Sequence, residues 1–364
     1  MIIGSSLENS TNEQRIVFSL DVIKKYVKSG IEILLPKGYG AFSHISNQAL
    51  EECGAILEDK DKIIGKVDIL IEISLEKGDL IDRLKNNSSI IVTNFDKNNE
   101  VVKAKLKDKK INLFSLNYLP RITRAQSMDV LSSQANLAGY KAVIDSIYEF
   151  NKAVPMMMTA AGTISPAKFF IIGAGVAGLQ AIATAKRLGG VVSATDVRLA
   201  SKEQVESLGG RFVFVEDSEN LENSGGYAKE ASDDFKKKQE ALLKETVKKQ
   251  NIIICTALIP GKKAPRIITE EMVLSMQPGS IICDLAAAQG GNSAFSEPGK
   301  IVEKQGVRII GYTNFASRIS ETASNLLAKN IYNFIELMYD KENKSIKIDQ
   351  EDEIIKNVLM TGAI

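Results

Sequence analysis

The sequence predicts an α/β protein made of two doubly wound parallel-sheet domains, separated by a cleft and joined by long helices. Three observations carry this. Short apolar runs of strand length alternate with segments of helical period through the first third of the chain, and a second such series begins at Lys168. Between the two lies "QANLAGYKAVIDSIYEF" (134–150), a helical pattern with no break until Pro155, long enough to leave one domain and enter another. The 364 residues suffice for two domains with separate cores.

In the first series, "GIEILLP" (30–36), "VDILIEIS" (67–74), "SIIVTNF" (89–95) and "KINLFSL" (110–116) read as strands. "NEQRIVFSLDVIKKYVKSG" (12–30) and "SNQALEECGA" (46–55) carry apolar residues at helical spacing. Such alternation favours a mostly parallel sheet covered on both faces. The second series runs "KFFII" (168–172), "VVSAT" (191–195), "RFVFV" (211–215), "NIIICTA" (251–257), "SIICDLA" (280–286) and "VRIIG" (307–311). After it, "SETASNLLAKNIYNFIELMYD" (320–340) is amphipathic and is expected to cross back, completing the first domain and closing the cleft. The expected domains are therefore 1–132 plus 318–364, and 133–317. The polar stretch 216–245, centred on Gly225, Gly226 and Tyr227, is expected to be a mobile loop leading into a helix.

Composition narrows the function. A net charge of +1, no Trp and 6% aromatic residues argue against a nucleic-acid partner. Cys53, Cys255 and Cys283 lack metal-ligand spacing, so no metal is expected, and a reducing compartment fits. No secretory signal is apparent at the N-terminus. The longest uncharged apolar stretch, between Lys168 and Lys186, falls short of the ~20 residues of a membrane helix and contains three glycines. The chain is expected to be soluble, without membrane insertion.

"GAGVAGLQAIATAKRLGGVVSATDVR" (173–198) is the most informative segment. A lone G-x-G-x-x-G says little and could be a structural turn, but here a strand precedes it, a helix follows, and the next strand ends on Asp196. This is the context of a Rossmann-like dinucleotide site. Gly173 would permit the tight turn, Gly175 the approach of a pyrophosphate, and Gly178 close helix–strand packing. The helix N-terminus would offer free N–H groups to the phosphates. Asp196 suits the hydroxyls of an adenosine ribose and favours NAD over NADP; Arg198 is a residue type that can accept a 2′-phosphate.

"RITRAQSMDVLSSQANLAGYKAV" (121–143) packs Arg121, Arg124, Gln126, Asp129, Ser132 and Ser133 into one polar set before the long helix. Taken alone it could be a helix start with a local Arg121–Asp129 ion pair. Together with "KEQVESLGG", "GGYAKE", "TALIPGKKAPRIITEEMV", "DLAAAQGGN" and the glycine-turn segment, it resembles the NAD(P) transhydrogenase family, in particular its NAD-binding component. Alanine dehydrogenase carries related patterns. The resemblance is strong over roughly 115–320 and continues more weakly on either side. Ending at Ile364, the chain is similar to the separate alpha subunit of enzymes split into several polypeptides.

The resemblance implies a set of roles. Gln126 reaches toward the nicotinamide ring and its ribose, Arg121 pairs with Asp129, and Ser132 bonds the carboxamide. Val176 sits in the glycine turn, with Asp196, Val197 and Arg198 at the adenosine. Gly226 and Gln239 frame a loop whose Tyr227 folds over the nucleotide, and Leu258 lines the crevice. It also implies NAD(H) on this chain, NADP(H) on a partner component, membrane-spanning subunits, a homodimer, and a location on the cytoplasmic side of the inner membrane held through those partners. Two places depart from the family pattern. The opening "IIGSSLENSTNEQR" diverges, though Glu13 and Arg15 stay in register, and Ala288 stands where transhydrogenases commonly carry a polar side chain.

Proton chemistry separates the two relatives. An amino-acid dehydrogenase needs a cationic clamp for a carboxylate and an acid–base group. The alanine dehydrogenase histidine would fall in "IIVTNFD" and its lysine in "VDILIEIS", and neither segment has one; its second acid aligns with Ala288. The only histidine is His44, expected to be a surface or core residue of the first domain. Hydride exchange between two nicotinamides consumes no proton at the reacting carbons and asks only for positioning. The expected function is the NAD(H)-binding component of a proton-translocating transhydrogenase, passing hydride to NADP⁺ on its partner. A nucleotide-binding sensor or inactive scaffold is the alternative, and an alanine-dehydrogenase-like enzyme a third.

Overall fold

The computed structural model describes residues 1–6, 12–75, 78–215, 233–259 and 262–361. The chain divides into two compact units, Met1–Gln134 with Ser317–Ile364, and Ala135–Ala316.

Each unit is built on a seven-stranded, mainly parallel sheet. In the first, the order from one edge is Ala55–Glu58, Glu32–Pro36, Ile2–Gly4, Ile69–Ser74, Ser89–Asn94, Asn112–Ser115, closed by the antiparallel Leu359–Thr361. The central strand is thus "IIG" at the extreme N-terminus, too short to show a period in the sequence. A Cβ on Gly4 would lie 2.8 Å from both the Leu34 carbonyl and the Val67 side chain, so close strand packing excludes any larger residue.

Three local expectations change. The segment expected to be helical from residue 12 becomes helical only at Leu20–Lys28. Before it, the amides of Gln14, Ile16 and Val17 donate to Ser317 Oγ, Ser324 Oγ and the Tyr39 hydroxyl, and these tertiary bonds replace a helical ladder. Gly54, at φ +95°, ends the Asn47–Glu52 helical segment, so Ala55 starts a strand where the sequence pattern predicts helix. In the second unit, only Arg211–Phe212 of "RFVFV" pairs as strand.

The second sheet runs Arg211–Phe212, Val191–Thr195, Lys168–Ile172, Ile252–Cys255, Ile281–Asp284, Val307–Ile310, Ile301–Lys304. The last strand, which sequence reasoning missed, returns antiparallel through Gln305 and Gly306, both at positive φ. In both sheets the strand order reverses beside the first strand, which is where open α/β sheets leave a crevice at their carboxyl ends.

The helix Val130–Glu149 begins in the first unit and continues into the second. The helix Ser320–Met338 belongs to the first unit, as its amphipathic pattern suggested. It buries Leu327, Ile331, Phe334, Ile335 and Met338 in that unit's core, with the Phe334 ring 5.7 Å from Phe114. Each such side chain contributes about 1.5–3 kcal/mol by leaving water. No helix among the described residues is long and apolar enough to cross a membrane, and among them no cluster of three His, Cys, Asp or Glu could hold a metal.

Candidate functional site

In the second unit the three glycines of the turn meet three different demands. Gly173 stands at φ +94°, a conformation other residues rarely adopt, and a Cβ there would come within 2.6 Å of Thr256 Oγ1. Gly178, in the helix Val176–Arg187, would drive a Cβ to 1.8 Å from the Gly173 carbonyl oxygen. Gly175, the N-cap of that helix, faces open space: a Cβ would meet nothing within 4 Å. Two of the glycines are required by the fold; the third leaves room for something else. Val176 opens the helix and is 41% exposed, next to the free amides of the first turn.

Asp196 follows the strand Val191–Thr195. Its Oδ2 accepts from the Ala174 amide at 2.7 Å, which ties the acid to the glycine turn. Oδ1 accepts from the Arg198 amide and Nε, both at 2.9 Å, and Arg198 Nη2 reaches Oδ2 at 3.0 Å. A carboxylate offers about four lone-pair directions, and the chain itself fills them. Burial works against the charged form, but the guanidinium and the two amides outweigh it and hold Asp196 below the usual carboxylate range. A diol ligand would take over the acceptor sites that Arg198 now occupies.

Asp196, Val197 and Gln239 meet at one hollow, walled by Leu199, Phe214 and Leu242. Its flat apolar walls and polar rim suit a purine. Leu258 is 44% exposed, on the loop beyond Ile252–Cys255. Gly226 and Tyr227 lie outside the described residues; the helix expected after them is present as Asp233–Val247.

Sequence reasoning missed the residues that brace this turn. Thr256 Oγ1 lies 3.0 Å from the Gly173 carbonyl oxygen and 3.1 Å from that of Ile172. Asn292, fully buried, accepts from the Ala257 amide and donates to the Ala257 and Pro265 carbonyls. Asp284 accepts from the Ser293 amide beside it. Their signal was only that polar residues follow strand ends in "CTA" and "GGN".

The remaining residues belong to the first unit. Gln126 is exposed on the 3-10 segment Thr123–Met128, between the buried Ala125 and Met128. Asp129 precedes the helix Val130–Glu149 and caps it: Oδ1 accepts from the Ser132 amide at 2.9 Å and Oδ2 from the Ser132 hydroxyl at 2.5 Å. Such a cap stabilises a helix by about 1 kcal/mol. Both oxygens of Asp129 are therefore engaged by Ser132, the residue expected at a carboxamide. Arg121 is exposed and has a partner of its own. Arg124 pairs with Asp352 at 2.6 Å.

The first unit also has a hollow at its own switch point, lined by Ser6, Arg15, Tyr39 and Ile73. Its cation is already matched. Arg15 Nε and Nη2 donate to the two oxygens of Glu13 at 2.8 and 2.7 Å, and Nη1 donates to Gln134. Glu72, in the strand where a lysine clamp would fall, is buried and accepts from the Ser6 amide. His44 is exposed at the left-handed end of a 3-10 turn, and Ala288 is exposed.

A strand, a glycine turn, a helix and an acid at the end of the next strand define a Rossmann-type α/β protein of the nucleotide-binding class. The chain belongs to the alanine dehydrogenase/PNT family: residues 5–138 match its N-terminal domain and residues 142–363 its C-terminal domain. It is 49% identical over 375 aligned positions to the first polypeptide of the divided NAD(P) transhydrogenase subunit alpha of Rhodospirillum rubrum, covering 100% of this chain and 97% of that one. The transhydrogenase structure from Sinorhizobium meliloti superposes with a TM-score of 0.90 at 44% identity, covering 100% and 99% of the two chains. An L-alanine dehydrogenase structure reaches a TM-score of 0.80 at 18% identity over 100% and 96% of the chains, which shows a shared fold.

Proposed function

We propose that this chain is the NAD(H)-binding component of a proton-translocating NAD(P) transhydrogenase. It presents NADH for direct hydride transfer to NADP⁺ held by a partner component, and membrane-spanning subunits couple the exchange to proton movement. The observation that carries this reading is the pairing of open space at Gly175 with an ionised Asp196 tied to the same turn through the Ala174 amide. A turn rigid at Gly173 and Gly178 but vacant at Gly175 fits a pyrophosphate and has no role in packing the chain itself.

On this reading Gly173, Gly175, Val176 and the amides of the helix start hold the pyrophosphate. Asp196, Val197 and Arg198 hold the adenosine end, Gln239 lines its hollow, and Leu258 borders the crevice. Bound there, the dihydronicotinamide supplies a hydride. Gln126 and Ser132 orient the ring and its carboxamide, and Arg121 and Asp129 fix the loop that carries them. None of these residues acts as an acid or base, because the exchange needs two rings held in register and water kept out.

Amino-acid dehydrogenase chemistry fits poorly, since Arg15 is neutralised by Glu13 and Glu72 stands in the strand where a cation is needed. The chain acts as a homodimer on the cytoplasmic side of the inner membrane, held there by its partners. The test mixes this chain with an NADP(H)-binding transhydrogenase component, NADH and thio-NADP⁺. Reduction of the analogue should require both proteins. No transfer, or NADH-forming turnover of alanine without a second nucleotide, overturns the proposal.

A further inference from the structure

The loop that carries Gln126 has little to hold it from within. The 3-10 segment Thr123–Met128 has no side-chain N-cap, and such turns have poorer hydrogen-bond geometry than α-helices. It is gripped from outside instead. The Ser127 carbonyl accepts two amide donors from one helix face, Asn330 Nδ2 at 2.9 Å and Asn333 Nδ2 at 3.0 Å. Residues three apart on a helix are neighbours, and a carbonyl has two lone pairs, so both donors fit one acceptor.

The orientation of Asn330 is fixed by a chain of donors running one way. Arg15 Nη1 donates to Gln134 Oε1 at 3.0 Å, and Gln134 Nε2 donates to Ser133 Oγ at 3.4 Å. Ser133 Oγ donates to Asn330 Oδ1 at 2.7 Å, which leaves Asn330 Nδ2 directed at Ser127. Flipping either amide would set donor against donor. The relay starts at a permanent cation, so its direction holds at any ordinary pH. On the other side of Gln126, the Arg124–Asp352 ion pair ties the loop to the start of the helix Glu353–Val358. Gln126 is the exposed residue between these two anchors.

We propose that Asn330 and Asn333 are positioning residues for hydride transfer, acting through the Ser127 carbonyl to fix the backbone from which Gln126 projects; this rests on the transhydrogenase reading above. Both asparagines belong to the first unit, whereas the glycine turn and Asp196 belong to the second, so their loss should act on rate rather than on nucleotide affinity.

The test compares wild type, Asn330→Ala, Asn333→Ala and the double variant, each mixed with the NADP(H)-binding component, NADH and thio-NADP⁺. Because one amide can still satisfy the carbonyl, each single change should slow transfer by only about 3-fold, and the double change by about 30-fold or more. The NADH dissociation constant should stay within about 2-fold, and amide exchange at 123–129 should quicken in the double variant. Asn330→Asp keeps the size and the Ser133 contact but sets an acceptor against the Ser127 carbonyl. It should show the same loss of rate without loss of affinity, and decides the matter where the double variant folds poorly. Wild-type transfer rates in the double variant and in Asn330→Asp overturn the proposal, as do rates that fall only in step with NADH affinity and melting temperature. Wild type that fails to transfer at all defeats the transhydrogenase reading itself, and this inference with it.

Discussion

The hydroxyl of Thr256 braces the carbonyl oxygen of Gly173 at 3.0 Å, so the end of one strand fixes the turn that leaves its neighbour. The same hydroxyl also lies within reach of Ile172, and Asn292 holds the next peptide, at Ala257, from both sides. Thr256→Val keeps the shape and removes the donor. NADH affinity should fall about 5- to 10-fold, the ~1–1.5 kcal/mol of one hydrogen bond, while Thr256→Ser stays close to wild type. Fluorescence titration with NADH reads both, and an unchanged affinity in Thr256→Val removes the brace from the account.

Gly175 and Gly178 should respond to alanine in opposite ways. A methyl at 175 meets nothing in the chain, and its φ of −78° suits alanine, so Gly175→Ala should melt within a few degrees of wild type. NADH binding should nonetheless weaken by about 10-fold or more, since the space is proposed for the pyrophosphate. Gly178→Ala collides with the Gly173 carbonyl and should lower the melting temperature, although helical Gly→Ala normally gains about 1 kcal/mol. Tight NADH binding by Gly175→Ala would refute the pyrophosphate assignment.

Asp196→Ala should weaken NADH binding by about 1–3 kcal/mol, as expected for charge-assisted bonds. Arg198→Ala should leave NADH binding at least as tight, because the guanidinium now fills acceptor sites that a ribose would use. Calorimetric titration of both variants with NADH and NADPH tests the pair. A wild type that prefers NADPH contradicts the assignment.

The lowered pKa of Asp196 also fixes the sign of a stability effect. Its ionised form is favoured in the folded chain, so its contribution is complete above the unfolded value of about 4 and is lost as pH falls through the lower native value. The stability gap between wild type and Asp196→Asn should therefore be constant near neutrality and close in acid. Urea titrations at several pH values measure it; a gap that widens below pH ~4 has the wrong sign.

Gln126→Asn shortens the side chain by one methylene. Hydride transfer should slow by up to ~10²-fold with little change in NADH affinity, since misplacing reacting groups costs rate rather than nucleotide contacts. His44→Asn should change neither, because that histidine is exposed on a left-handed turn that asparagine tolerates. Normal transfer by Gln126→Asn would remove that residue from the mechanism, and a pH profile that depends on His44 would end the proton-free reading.

The sequence by itself determined what local chemistry controls. Apolar runs such as "KFFII" and "NIIICTA" became buried parallel strands, since a strand covered on both faces must be apolar along its whole length. Gly173 and Gly178 could be read because backbone sterics alone demand glycine there, and Asp196 because its distance from the turn is set by one strand–helix–strand unit. The crossing-back of Ser320–Met338 was legible in its apolar stripe.

Only the tertiary structure decided the rest. The three residues of Ile2–Gly4 form a central strand because both neighbours pair with them, not because of any period of their own. Residues Gln14–Val17 follow helical spacing yet stay irregular, because Ser317, Ser324 and Tyr39 take their amides. Thr256, Asn292, Asn330 and Asn333 act on partners distant in the chain, from 35 residues for Asn292 and Ala257 to 206 for Asn333 and Ser127. An amide side chain leaves no periodic mark in a sequence, and its worth depends on which carbonyl the fold brings to it.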